Sequence, residues 1–492
     1  MINLKQSRFC RTRVRARGLL STFVVVTAAV AIAVSPAAAL TGGATPRQPT
    51  DLCAAMDSAV HTRNNPLTSD AILTTSRAVA DHAQAAQGYT DDDGVAFLAA
   101  TRPAARTDRV HHLRNRITGR NAYTLDPAQM KSLRKQGYTP QPDGFFASAR
   151  PAPCLTPVYE LIRASDGQQQ LAVTPGQRDE LAAKGFAYSR VAFYAGTDTT
   201  FSIAVLPDTQ QENHVERPVD MFLDRANWLA AKEDALDLRY ITHTGDVVDW
   251  DTPGHEQYEI MAHGVKALDA TGIPYSFSIG NHDSMATGPF GGSARPGNTH
   301  TNQRITDTFN SYVGVGHVEN LQGTFEPNKV DNSFSTFAAG GVDWLVLNLE
   351  LWPRTEAVEW AKQILAAHPH HNAIVVTHSV LEGDGSIKQT NGGYGDNSPQ
   401  YVFDQLIAPS PNVRFVFSGH TGVWAHTERT GLAGNPIHLI NSTYHDWTST
   451  PTRILEFDTA ADGFSTYVYS PYTDAVKKDG STFSRDGLQL VH

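Results

Sequence analysis

The chain has 492 residues, 40% of them apolar and 18% charged, which is enough for two or three domains with cores of their own. Its first 39 residues hold six of the 40 basic residues and none of the 50 acidic ones, so the rest carries 34 basic against 50 acidic groups, a net charge of −16. That balance argues against a general nucleic-acid-binding surface.

The N-terminus places Lys5, Arg8, Arg11, Arg13, Arg15 and Arg17 before an apolar stretch from Leu19 to Val34, followed by Ala37, Ala38 and Ala39. This order predicts a signal peptide over residues 1–39 and a secreted mature protein with no membrane span after cleavage. Cys53 and Cys154 would then lie outside the cell, where a disulfide persists. Their pairing closes a loop of about 100 residues, which contributes ~4 kcal/mol in the chain-entropy model. Two free thiols are the alternative.

Residues 40–196 repeat themselves. "AILTTS", "NAYTLD" and "LAVTPG" set Thr74, Thr124 and Thr174 fifty residues apart, and Phe97, Phe145 and Phe193 follow at intervals of 48. Three units of this length, each with short strands, a helix-like stretch and an aromatic strand end, predict a closed β-rich module with approximate threefold symmetry. The third unit, "PVYELIRASDGQQQLAVTPGQRDELAAKGFAYSRVAFYA", resembles β-trefoil-like repeat modules appended to secreted bacterial hydrolases. The resemblance implies an accessory role in contact with carbohydrate or cell wall; for Tyr159 and Tyr194 a place in the core is the competing reading.

Residues 197–492 change texture. "FSIAVLP", "LRYITHTG", "IPYSFSIG", "NAIVVTHS" and "VRFVFSG" read as buried strands, with amphipathic helices such as "AVEWAKQILAAH" between them. This alternation predicts a layered α/β fold, with functional groups collecting where strands end. Each strand does open into polar residues: Asp208 and Gln210 in "LPDTQ", Asp246 and Asp249 in "TGDVVD", Asn281, His282 and Asp283 in "GNHD", His378 in "VVTHS" and His420 in "SGHTG".

Those five segments, in this order, resemble the calcineurin-like metallophosphoesterase superfamily across about Phe201 to Asp458, and "VLPDTQ" is similar to a bacterial extracellular subgroup. The resemblance implies a four-layer α/β/β/α sandwich with two divalent metal ions, drawn from manganese, magnesium, calcium, zinc and iron. Asp246 would bridge them; Asn281, His378 and His420 would complete the second site, and Asp208 and Gln210 would hold the first. A bridging carboxylate holds two cations about 3.5 to 4 Å apart, so that a water between them attacks phosphorus in line. His282 would stabilise the transition state or protonate the leaving oxygen, with Asp283 orienting its ring, and Asp249 bracing the loop.

Two positions depart from the family pattern, which has histidine where this chain has Gln210 and Gly422. Both losses fall on the first site, which is left with oxygen donors, shifting preference towards manganese, magnesium or calcium. His426 could reach back if its loop curls; His243 and His445 are further spare histidines, read as structural. The expected function is a secreted metallophosphoesterase acting on a phosphomonoester or a phosphodiester. The alternative is a catalytically silent phosphoesterase fold that binds glycan or cell wall. The long insertion from Ser284 to Asn332 is expected to wall the cleft or to form a disordered lid, and the tail after "SGHTG" is expected to complete the sandwich without a further motif.

Overall fold

The computed structural model describes residues 52–492 except 218, 292–298 and 319; the leader expected over residues 1–39 lies outside the described residues. No helix among the described residues is long and apolar enough to cross a membrane.

All three repeat units fold alike. A first strand (Ser58–Asn65, Asp108–Asn115, Thr156–Arg163) pairs antiparallel with a short second strand (Asp70–Thr74, Asn121–Thr124, Gln168–Ala172). A helix follows (Arg77–Gln87, Pro127–Lys135, Pro175–Ala183), and a last strand (Asp91–Ala99, Tyr138–Ala147, Phe186–Ala195) returns to the other edge of the first. The threonines fifty residues apart stand where the second strand gives way to the helix. Their hydroxyls accept from Ser76 N–H at 3.1 Å, Asp126 N–H at 2.9 Å and Gln177 N–H at 3.2 Å, satisfying backbone donors that a starting helix leaves free.

Phe97, Phe145 and Phe193 meet at the centre, with ring centroids 5.5, 5.6 and 5.9 Å apart and the rings edge-on. Val60, Val110 and Val158, one from each first strand, are fully buried beside them. Isolated bridges close the ring of last strands, joining Ala100 to Phe146, Ser148 to Tyr194 and Leu98 to Gly196. Three units thus cover an apolar face that one could not. What forms is three separate antiparallel sheets, each carrying a helix, and the Cys53–Cys154 disulfide joins the approaches to the first and third units with a Cα separation of 5.8 Å.

The second part consists of two seven-stranded sheets. One runs in the order Tyr275–Phe277, Leu238–His243, Thr200–Leu206, Thr452–Asp458, Gly463–Ser470 and Ala475–Val476, with Phe483–Asp486 also on Gly463–Ser470. The other runs Leu321–Thr324, Ser333–Ala339, Val342–Leu349, His371–Thr377, Val413–Ser418, Pro436–Ser442 and Trp424–Thr430. Side chains alternate across each strand. Phe201, Ile203 and Val205 therefore face the other sheet and meet Trp344, Val346, Ile374, Val376, Phe415 and Phe417, while Ala204 and Leu206 face outward among residues of helices Met221–Leu236 and Glu256–Asp269. On the far side Leu345, Leu347 and Val375 pack against helix Thr355–Ala367. Strands covered on both faces read as unbroken apolar runs, and the result is the four-layer α/β/β/α sandwich.

Specific contacts seat the module on the sandwich. Asp343 accepts the Thr174 hydroxyl and, at 2.7 Å, the Gly176 N–H at the start of helix Pro175–Ala183, where a carboxylate is favoured. Only glycine fits there, since a Cβ on Gly176 would lie 2.6 Å from the Asp343 carboxylate. Arg77 adds ion pairs to Glu233 at 2.9 Å and Asp234 at 2.5 Å.

Candidate metal centre

Strand direction gathers the polar residues. Thr200–Leu206, Leu238–His243 and Tyr275–Phe277 run parallel in one sheet, and Val342–Leu349, His371–Thr377, Val413–Ser418 and Pro436–Ser442 run parallel in the other. The loops leaving these strands bring together Asp208, Gln210, Asp246, Asn281, His282, His378 and His420 from the sequence expectation, and add His445 after Pro436–Ser442.

Two clusters of ligand atoms form, and they share a carboxylate. Asp246, His378 and His420 make one and Asp208, Asp246 and His445 the other, each with its atoms within 4.8 Å of one another. His378 Nε2 lies 3.0 Å from Asp246 Oδ2 and 3.2 Å from His420 Nδ1, and its Nδ1 donates to the Thr244 carbonyl at 2.9 Å. Asp208 Oδ2 accepts the His420 N–H at 2.9 Å and faces His445 Nε2 at 3.1 Å. The approach is so close that two glycines are obligatory. A Cβ on Gly280 would come within 2.0 Å of Asp246 Oδ1, and one on Gly419 within 1.9 Å of Asp208 Oδ1.

His378 and His420 are shifted in opposite directions by their surroundings. Burial would lower His378, but Asp246 and Asp208 hold it up at about 9. His420 is pushed down to about 3 by burial and by His378 beside it, since two adjacent imidazolium ions repel. Burial would raise Asp246, yet His378 and His282 keep its carboxyl well below the ordinary range.

The residues fit a pair of divalent cations. The Gln210 Oε1 and Asn281 Oδ1 atoms are both buried without a hydrogen-bond partner among the described residues, which leaves these two oxygens free to meet a cation. Gln210 Nε2 points to Asp249 Oδ1 at 3.4 Å, which fixes the amide and leaves its oxygen for the centre. Each cluster by itself already mixes imidazole nitrogen with carboxylate oxygen.

Three expectations change. Asp283 does not orient His282: its carboxylate accepts the backbone N–H groups of Gly280, Asp246 and Val247 at 2.8 Å each and of Val248 at 3.3 Å, clamping two loops. Burial and Asp246 push it up to about 7 against those donors. The partner of His282 is Asp249, whose carbonyl accepts from Nδ1 and whose carboxylate lies 3.5 Å away while also holding His214 Nε2 at 3.1 Å. His426 is no ligand, because it sits in strand Trp424–Thr430 with its ring 4.3 Å from Phe483 and 5.6 Å from His438.

Gly422 has a physical reason to lack a side chain. Its φ is 72°, and a Cβ would meet the Gly383 Cα at 3.0 Å. His445 supplies a ring from a different strand instead, with its pKa raised by the hydrogen bond to Asp208 against the effect of burial. Its signal was present in "LINSTYHD", another apolar strand opening into polar residues. His243 is structural as expected, its Nδ1 accepting the Gly245 N–H and its Nε2 meeting the Thr209 hydroxyl, both at 3.0 Å.

A family model described as calcineurin-like phosphoesterase matches residues 201–423, and one described as a domain of unknown function matches residues 59–196. A Bacillus subtilis protein named as uncharacterized protein YvnB is 27% identical over 300 residues, 58% of this chain, although the chain spans only 21% of that relative's length. Two solved structures are similar: a dimetal phosphatase from Danio rerio (12% identity, TM-score 0.34, covering 57% of this chain and 99% of that one) and GAP50, titled as the anchor in the inner membrane complex of Plasmodium (13%, 0.34, 59% and 89%). His445 lies beyond the matched residues. Over residues 201–423, within its two-sheet part, this chain is therefore similar to the calcineurin-like phosphoesterases.

Proposed function

We propose that the protein is a secreted, metal-dependent phosphoesterase in which a water, not a side chain, attacks phosphorus. Support for secretion comes from the basic and apolar leader and from the disulfide. The observation that carries the catalytic reading is the pair of ligand clusters sharing Asp246. Asp208, Gln210, His445 and Asp246 would hold one ion; Asp246, Asn281, His378 and His420 would hold the other.

Cations held there supply positive charge for the phosphoryl oxygens and lower the pKa of an attacking water. Mixed nitrogen and oxygen donors suit manganese, iron or zinc better than an all-oxygen set would. The protein's own part is positioning. His282 is anchored through Nδ1 on Asp249, so Nε2 faces the centre, 4.0 Å from Asp246 Oδ2, placed to hold a proton for the leaving oxygen. Asp283 keeps the "GDVVD" and "GNHD" loops at a fixed separation, and Asp249 sets both Gln210 and His282.

Hydrolysis of p-nitrophenyl phosphate and of bis-p-nitrophenyl phosphate by the manganese-loaded chain, with Asp246→Asn as the blank, tests this reading. Turnover of either ester that vanishes in the variant is expected. Absence of turnover with any common divalent metal would make the fold a silent one.

A further inference from the structure

The rim of the metal centre carries rings that the fold does not need. Phe290 is 86% exposed and takes a φ of 66°, a left-handed conformation that a bulky side chain seldom adopts. It lies next to the centre, because a Cβ on Gly291 would fall 2.3 Å from Asp249 Oδ1. Its ring stands 5.3 Å from that of Trp250, the residue after Asp249. Trp447, 46% exposed, comes two residues after His445, and Arg217 lies 4.2 Å over its face. The Arg217 Nε donates to the Gln211 carbonyl at 2.7 Å, beside Gln210.

Single exposed apolar residues are ordinary on any surface. These are different in place and in strain. Each ring belongs to a segment that also carries a metal-centre residue or its direct partner, and one is held in an unfavourable backbone conformation. Burial does not reward the exposed Phe290 ring, and strain of this kind clusters at ligand-binding loops.

Resting on the phosphoesterase reading, we propose that the organic part of the substrate is a planar aromatic group, as in a nucleoside phosphate, received by the Trp250–Phe290 and Arg217–Trp447 pairs. Rings and a guanidinium plane offer π faces, which stack on a flat ring and gain little from a flexible alkyl chain. Arg217 also places a cation near an anionic ester. Phe290 and Trp447 set which ester is preferred, while the metal residues set whether it is cleaved.

Adenosine 5′-monophosphate and ribose 5-phosphate share a leaving oxygen and differ only in the base, so the manganese-loaded chain is assayed on both. The nucleotide is expected to show a KM about tenfold lower, in keeping with base–aromatic stacking. Phe290→Ala and Trp447→Ala should each shrink that ratio, whereas Leu67→Ala, exposed on the repeat module, should leave it unchanged. Equal KM values, a ratio that survives both variants, or a preference for dioctanoyl phosphatidic acid with none for the nucleotide would overturn the proposal. Quenching of tryptophan fluorescence separates it from the phosphoesterase reading. If neither ester turns over, saturable quenching by the nucleotide at lower concentration than by ribose 5-phosphate, weakened in Phe290→Ala, would keep the aromatic site and discard the catalysis; no such difference would discard the aromatic site.

Discussion

In the repeat module, the residues that recur at fixed spacing serve the fold: Thr74, Thr124 and Thr174 act at helix starts, and Phe97, Phe145 and Phe193 make one core. In the sandwich, what recurs is not a residue type but a position, the first loop residues after an apolar strand, and there aspartate and histidine collect into two clusters that share Asp246. Identity repeated along a chain marks packing that must be shared between equal units. Different polar groups at equivalent strand ends mark chemistry that needs different donors at one point.

The contrast can be broken most severely at Asp246. Asp246→Asn should abolish hydrolysis and bound metal in both clusters while the thermal transition of the repeat module is unchanged; retained turnover would sink the assignment of the bridging residue. His282→Ala should lower kcat by about 10²- to 10⁴-fold with metal content intact, read by steady-state kinetics beside metal analysis. Asp249→Asn removes the group that sets both Gln210 and His282. A loss of about 10- to 100-fold in metal affinity or activity is expected from an outer partner of this kind, and an unaltered enzyme would count against that role.

On the packing side, Phe145→Ala opens the triangle of rings and should cost about 3–5 kcal/mol by denaturant titration, with kcat little changed. The smallest effect is set by pH. His61 and His438 are each pushed down to about 4, chiefly by burial. They stay neutral in the folded chain but take up a proton near about 6.5 when unfolded. Stability from them is therefore complete above about pH 6.5 and declines as the pH falls from there towards 4. Denaturant titrations at pH 7, 5.5 and 4.5 should show a steeper fall for the wild type than for a variant carrying His61→Gln and His438→Gln, and parallel profiles would contradict the burial of these rings.

Much of this was legible in the sequence because period and motif are local. The threefold spacing of the phenylalanines foretold their meeting, and the apolar runs ending in "GD", "GNHD" and "SGH" foretold which strands converge. Distance along the chain hid the rest. His445 lies 237 residues from Asp208, and nothing in its own segment says that Pro436–Ser442 runs parallel to Val413–Ser418 and so delivers its loop to the same edge. His426, nearer in sequence to Gly422, is held by its strand among Phe483 and His438. The exchange of partners between Asp283 and Asp249 has the same origin. Adjacency in "GNHD" suggested that Asp283 holds the His282 ring, whereas the turn directs its carboxylate into four backbone N–H groups.

Metal bound per chain, counted after reconstitution with manganese and removal of free ion, tests the central claim most directly when the wild type is set beside His445→Ala. The account predicts two ions in the wild type and one in the variant, with the Asp246, His378 and His420 cluster still filled. Two ions in His445→Ala, or one in the wild type, would contradict it.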